Sequence, residues 1–279
     1  MVKKLNYDNW ISEHKDILKS LGDKQVFMLY TGGKDCSILL DYFLRARKEF
    51  NFNFETHAGM FPKHLFIQDE VSKMDQYWRG RGVDIIWHDI AENDDEFEEA
   101  REKGINPCSV CHGTKRKYFM NLLRDSVDDW SSLVIIIGYT LWDLVSYSLE
   151  YLLGQVYFHD GDSSLLFQGR SIKDRYLQTS QRFYPLIKVE GGISILKPLL
   201  KYNDQEILEE IENNKIPLST YPCKYKDHRP KRILSSGYKQ MDLHFDYEKV
   251  FSFAKEKLDL FGETTYEKFS KEEYLTNIL

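Results

Sequence analysis

Gln25-Val-Phe-Met-Leu-Tyr30, followed by Thr31-Gly-Gly-Lys-Asp-Cys-Ser37 and Ile38-Leu-Leu-Asp-Tyr-Phe-Leu44, reads as a buried strand, a glycine turn and a helix opening at that turn. Glycine lets the backbone turn tightly and approach a ligand closely. The free N–H groups of the turn and of the first helical turn then point at one spot, where the helix dipole also favours negative charge. Lys34 adds a mobile cation. The stretch is expected to cradle a phosphate. It is not a Walker loop, because Gly, four residues and Gly-Lys-Ser/Thr do not follow one another here.

Outward from this unit, apolar runs alternate with helical patterns. Residues 7–21 have helical periodicity and are expected to cover the sheet edge. A helix over 36–49 leads to a strand near 53–61, a helix near 69–81 and a strand over 83–88. An acidic helix near 93–103 and a basic helix over 112–126 precede a fully apolar strand at 132–138 and a helix over 141–157. Residues 159–182 are polar and poorly periodic, which predicts an inserted loop or flap. Residues 195–200 read as another strand, and 204–213 as a helix with Asp204 near its cap. This order predicts an α/β fold: a parallel five-stranded sheet with helices on both faces, plus a small, mainly helical C-terminal region. The expected organisation is an N-terminal helix (1–22), a nucleotide-binding domain (23–200) and the helical region (201–279). Ligands of such sheets sit beyond the carboxyl ends of the strands. The glycine loop, Gly138-Tyr-Thr-Leu-Trp-Asp143 and a loop near Ala58-Gly59 that would offer backbone groups to an adenine edge all fall there.

The chain has 279 residues, 42% of them hydrophobic and 14% aromatic, enough for a packed core. No apolar run approaches a membrane span, and the polar start does not resemble a secretory signal, so a cytoplasmic protein is expected. With a formal net charge of −6 there is no general basic surface, and an RNA partner would need local patches. Lys115, Arg116 and Lys117 form one candidate; Lys224, Lys226, Arg229, Lys231 and Arg232 form another. The acidic run Glu92–Glu99 reads as a solvated helix face.

Four cysteines in such a chain do not suggest a disulfide scaffold. Cys108-Ser-Val-Cys111 is expected in a loop just before the basic helix, whose N-terminus would stabilise thiolates, and Cys223 follows a proline-fixed loop. A Cys-x-x-Cys pair alone serves zinc, redox and iron–sulfur sites alike. Three thiolates can hold three corners of a [4Fe–4S] cluster and leave one iron open. Zinc would take a fourth ligand such as His112 or His228, and buried small hydrophobes are the third reading.

Thr31-Gly-Gly-Lys-Asp35 resembles the pyrophosphate loop (PP-loop) of the ATP pyrophosphatase superfamily, Ser-Gly-Gly-x-Asp-Ser, with Cys36 at the last position and Ser37 one step late. In motif order, from about residue 23 to 235, the chain is similar to the tRNA 2-thiocytidine synthetase group of PP-loop tRNA sulfurtransferases. The similarity takes in Cys108-x-x-Cys111, Gly138-x-Thr140-x-x-Asp143, Leu196-Lys-Pro-Leu-Leu200 and Cys223; Tyr139 and Leu144 depart from that group's pattern. The resemblance implies an adenine nucleotide alpha hydrolase-like fold and ATP held by Tyr30, Thr31, Gly32, Gly33, Lys34, Asp35, Cys36, Ser37, Ala58, Gly59, Gly138 and Thr140. Lys34, Asp35 and Asp143 would be the catalytic set, with Asp35 a candidate ligand for Mg²⁺ and Asp143 a second one, a group that orients the nucleotide, or a cap on helix 144–157, and Cys108, Cys111 and Cys223 would hold a [4Fe–4S] cluster. A tRNA substrate, a sulfur donor protein or sulfide, and a homodimer are compatible with it. Two other readings stand beside it: an ATP-dependent amidotransferase or ligase acting on a small molecule, and a nucleotide-binding regulatory or defence component.

Overall fold

The computed structural model describes residues 4–61, 68–91, 94–103, 107–157, 172–219, 223, 225 and 230–278. Its centre is a six-stranded sheet of β1 (Gln25–Tyr30), β2 (Glu55–Met60), β3 (Ile85–Asp89), β4 (Leu133–Ile136), β5 (Leu186–Lys188) and β6 (Ser194–Leu196), in the order β3-β2-β1-β4-β6-β5. Every pairing is parallel except β5 with β6. The expected five parallel strands are present, and β5 is the addition. It is antiparallel because a tight hairpin joins it to β6, where Gly191 (φ 82°) and Gly192 (φ 93°) take left-handed backbone.

The chain leaves β1 for β2 and β3 on one side, and β4 and β6 add on the other. The gap between the carboxyl ends of β1 and β4 is therefore the topological switch point. Side chains of β1 alternate between faces. Val26, Met28 and Tyr30 join a core under α1 (Tyr7–Lys19), α2 (Lys34–Phe50) and α8 (Asp204–Asn213), whereas Phe27 joins a core with Met120 and Leu123 of α5 (Pro107–Ser126) and with Tyr266, Tyr274 and Leu275. Burial on both faces is what a parallel sheet requires. The remaining helices are α3 (Gln68–Gly80), α4 (Asp94–Glu102), α6 (Leu141–Tyr157), α7 (Ile172–Ser180), α9 (Pro230–Gln240), α10 (Tyr247–Lys257) and the short α11 (Glu263–Tyr266) and α12 (Lys271–Glu273).

Three expectations are corrected. The N-terminal helix packs on α2, through Trp10 against Tyr42 and Phe43, not on an edge strand. Residues 172–180 of the expected flap form helix α7, and 158–171 lie outside the described residues. Cys108 and Cys111 lie within α5, not in a loop before it, because Pro107 occupies the first helical position, where its fixed φ and missing N–H cost nothing. Among the described residues no helix is long and apolar enough to cross a membrane.

One face of the sheet carries a chain of rings. His57 stacks on Phe27 at 4.6 Å, its Nδ1 lies 3.0 Å from Nε2 of His88, and its Nε2 lies 3.2 Å from a Glu55 carboxylate oxygen. The hydroxyl of Tyr118 is 3.2 Å from Nδ1 of His88. Burial, with a smaller push from His88, lowers the pKa of His57 to about 4. The unfolded imidazole binds its proton near pH 6.5, so this contribution to stability is complete above that pH and fades as the pH falls towards 4. A loss on the order of 2–3 kcal/mol across that window is expected from this group. It should appear as a falling urea midpoint in the native protein and be flattened in His57→Gln.

Candidate functional site

The backbone after β1 folds as its glycines require. Gly32 has φ 67°, a left-handed conformation, and Gly33 is the N-cap of α2 with no side chain to satisfy the helix's first N–H groups. Those donors face the switch point, with the positive end of the α2 dipole behind them. Gly138, just past β4, lies against them: a Cβ there would come 3.2 Å from Cβ of Asp35 and 3.5 Å from the backbone nitrogen of Cys36. Gly138→Ala should therefore displace Asp35 and the start of α2. A stability cost of about 1–2 kcal/mol is expected from such overpacking, with a fall of about tenfold in nucleotide affinity, read by thermal melting and calorimetric titration.

Charged side chains gather at the same place from four separate segments. Lys34 is paired with the adjacent Asp35, and its Nζ lies 2.9 Å from Oδ2 of Asp204 at the start of α8. The Thr140 hydroxyl donates to Oδ1 of Asp204 at 2.8 Å, and the Thr140 N–H donates to Oδ2 of Asp143 at 2.9 Å. Lys231, in the first turn of α9, pairs with the other Asp143 oxygen. Burial opposes the charge of Lys34, but Asp35 and Asp204 outweigh it and hold the ammonium above its usual range. Burial, then the charge of Asp35, lifts the Asp204 carboxyl against the pull of Lys34. Burial lowers Lys231 to about 8. Three carboxylates and two lysines thus form one network in which each sign holds the other in place.

Asp35, Asp143 and Thr140 come together in this network. Asp204 and Lys231 are additions. Asn203 is the true cap of α8, closing a capping box with Glu206, which leaves Asp204 to face Lys34. The sequence groups Lys231 with a basic patch, and the fold pairs it with Asp143. Lys115 is also turned inward, with its ammonium 4.9 Å from the Phe61 ring centre, and Arg116 donates to the Thr276 carbonyl at 3.0 Å. Lys117 and Arg232 are exposed, whereas Lys224, Lys226 and Arg229 lie outside the described residues.

Other expected nucleotide contacts are placed differently. The Cys36 thiol is buried inside the loop, accepting from the Thr31 N–H at 3.2 Å and donating to the Gly33 carbonyl at 3.2 Å, and burial raises its pKa. It closes the loop from within as a protonated thiol. Ser37 and Tyr30 are buried side by side, with Trp78 donating to the Tyr30 hydroxyl at 3.0 Å. Ala58 and Gly59 belong to β2 and not to a loop. Ala58 is in the core, and a Cβ on Gly59 would meet Ile90 at 2.7 Å, so neither side of that position lies open.

Cys108, Cys111 and Cys223 belong to one cluster with Phe61, Ile90, Phe97 and Tyr225. Phe61 and Ile90 directly follow β2 and β3, so the cluster sits at the same carboxyl rim as the glycine loop. Cys108 and Cys111, three residues apart on α5, share a helix face in its first turns, where the dipole favours thiolates. The Cys108 Sγ lies 3.6 Å from the Tyr225 carbonyl. None of the cysteines is in a disulfide, and among the described residues no three His, Cys, Asp or Glu side chains stand close enough to share one ion. The donor set fits a thiolate-bound metal centre; the spacing is not that of a preformed one. His112 is exposed, and His228 lies outside the described residues. For Mg²⁺ the donors also fit, since that ion takes one or two carboxylates together with substrate phosphates, and Asp35, Asp143 and Asp204 flank the cradle.

No protein-family model matches the sequence, and no curated protein matches it. Solved structures do resemble the fold. A U34-tRNA thiolase, NcsA, from Methanococcus maripaludis with its [4Fe-4S] cluster is 17% identical, with a TM-score of 0.60 over 91% of this chain and 82% of that one. The NH3-dependent NAD synthetase of Campylobacter jejuni is 13% identical, with a TM-score of 0.43 over 91% and 94% of the two chains. NMN synthetase from Francisella tularensis is 10% identical, with a TM-score of 0.42 over 98% and 94%. Strand order, the glycine turn at the switch point and the first of these likenesses agree: the chain has the PP-loop, adenine nucleotide alpha hydrolase-like fold.

Proposed function

We propose that the protein is an ATP-dependent sulfurtransferase that adenylates an oxygen on a tRNA base and replaces it with sulfur. The observation that supports this most is the gathering of three thiols, from two remote segments, at the same strand rim as the phosphate cradle. A regulatory nucleotide sensor has no use for that arrangement.

A carbonyl-type oxygen on a pyrimidine is a poor leaving group. Its attack on the α-phosphorus of ATP breaks the bond to the bridging oxygen, and pyrophosphate departs with the electron pair. The chain's part is electrostatic and positional. Gly32, Gly33 and the α2 N-terminus hold the β- and γ-phosphates. Lys34 neutralises charge growing on the bridging oxygen. Asp35 and Asp143, with Asp204 beside them, would hold Mg²⁺, and Thr140 fixes both Asp143 and Asp204. Cys108, Cys111 and Cys223 would hold a [4Fe–4S] cluster, whose chemistry there would be to bind sulfide. Sulfide then displaces AMP from the activated carbon with no net oxidation or reduction.

A second reading keeps the adenylation and changes the acceptor to a small molecule. It is favoured by the engagement of Lys115 with the Phe61 ring and of Lys231 with Asp143, which ties up two of the cations an RNA would meet. One assay separates the two. Anaerobically prepared protein with ATP, Mg²⁺ and sulfide should release pyrophosphate only when unmodified tRNA is added, and a thionucleoside should appear in the digested RNA. Pyrophosphate release that ignores tRNA and responds to small acceptors would replace the first reading with the second.

A further inference from the structure

Arg182 lies in the 3₁₀ turn Gln181–Phe183 that leads into β5. It is 6% exposed, and its Nε and Nη1 are enclosed without a hydrogen-bond partner among the described residues. The guanidinium carbon is 3.9 Å from the ring centre of Tyr147 and 5.6 Å from that of Tyr139, and the two rings meet edge to face at 6.1 Å. Glu150 of α6 adds negative charge to the surroundings but no bond to those two nitrogens. A second cation stands behind the turn. Lys197, fully buried, donates through Nζ to the Gln181 carbonyl at 3.0 Å and to the Tyr184 carbonyl at 2.9 Å, on either side of Arg182 in the chain. Burial, then the charge of Arg182, lowers Lys197 to about 7.

Stacking on a tyrosine face offsets part of the cost of burying a guanidinium and leaves its in-plane N–H donors for another group. Arginine cannot relieve the rest by losing its proton, as a lysine can. A buried cation on a turn fixed by Lys197, with two donors unpaired, fits an anionic oxygen group. The place adjoins the cradle. Tyr139 lies between Gly138, which packs against Asp35, and Thr140, which bonds Asp143 and Asp204. Tyr147 follows Asp143 by four residues on α6, so the two share a helix face one turn apart. Arg182 is thus one turn along α6 from a carboxylate proposed for Mg²⁺, and it is no part of the loop proposed for the β- and γ-phosphates.

Resting on the adenylation reading above, we infer that Arg182, framed by Tyr139 and Tyr147, is a binding residue for the acceptor: it takes an anionic oxygen group, phosphate or carboxylate, on the molecule whose other oxygen attacks ATP. The substrate class is therefore an acceptor that carries such a group close to its reacting oxygen. An RNA supplies it as a backbone phosphodiester, and a small acceptor as a phosphate or carboxylate of its own. Holding that group fixes where the attacking oxygen lies relative to the α-phosphorus.

The probe is inorganic phosphate, titrated calorimetrically into protein whose nucleotide site is already filled by a non-hydrolysable ATP analogue and Mg²⁺. One phosphate per chain is expected to bind, with a Kd below about 10 mM. Arg182→Met should weaken it by about tenfold or more, while affinity for the analogue stays within about twofold. Arg182→Lys keeps the buried charge, should give an intermediate loss, and serves where the Met variant does not fold. Displacement of the phosphate by unmodified tRNA would identify the RNA backbone as the source of the anion; displacement by acetate and not by tRNA would identify a small carboxylate acceptor. If neither displaces it, Arg182 does not bind the acceptor. If the filled native protein takes up no phosphate, or the variants bind it as tightly, the subsite is wrong while the nucleotide site stands. If the analogue does not bind the native protein, the adenylation reading falls and the subsite falls with it.

Discussion

Lys34→Ala should lower kcat/KM for pyrophosphate release by about 10²–10³-fold, the size of effect seen when one preorganised charge-stabilising group is removed from a transition state. The ammonium has two roles. In the free protein it lies between Asp35 and Asp204, and deleting it leaves two carboxylates facing each other in a partly desolvated site. In the reaction it meets charge as the bridging oxygen departs, so the loss should fall on kcat as well as on KM. A structural role alone would lower the melting temperature and leave the activity of the folded fraction intact. Measuring both separates the cases. Adding Asp204→Asn to Lys34→Ala should recover stability, since it removes one of the orphaned charges, without recovering activity. Recovery of turnover in the double variant would show that Lys34 serves only to neutralise Asp204.

Cys223→Ser should divide the reaction in two. Thiolation is expected to be lost to background, because a hydroxyl is a poor ligand for iron and the remaining pair, Cys108 and Cys111, offers only two thiolates. Pyrophosphate release should stay within about tenfold of the native rate, since the network of Lys34, Asp35, Thr140, Asp143 and Asp204 contains no cysteine. Thionucleoside counts and a pyrophosphate assay on one preparation give the answer. Full thiolation by the variant would reduce the cysteine cluster to packing.

The parts of this account that were legible in the sequence are local ones. Gln25–Leu44 encodes a strand, a turn and a helix within twenty residues, each with its own signal. The apolar runs of β1 and β4, alternating along the chain with helical patterns, led directly to a sheet covered on both faces. Strand β5 was missed because three residues give no period, although Gly191-Gly192 between short apolar runs is a hairpin signal. Cys108 falls inside the helix and not before it because proline at a first helical position is a starter. Asp204 and Lys231 were not legible as site residues for a different reason. Their partners Lys34 and Asp143 are remote in sequence, and only the closing of α8 and α9 over the switch point brings them together. The same closure pairs Lys231 with Asp143, where composition alone would draw a basic patch.

Metal and acid-labile sulfide in protein prepared without oxygen test the central claim most directly. Iron and sulfide in equal amounts, on the order of four of each per chain, with both lost in Cys108→Ser and Cys223→Ser, are the predicted result. A colourless protein that thiolates its acceptor at full rate, or one stoichiometric zinc in place of iron, would contradict it.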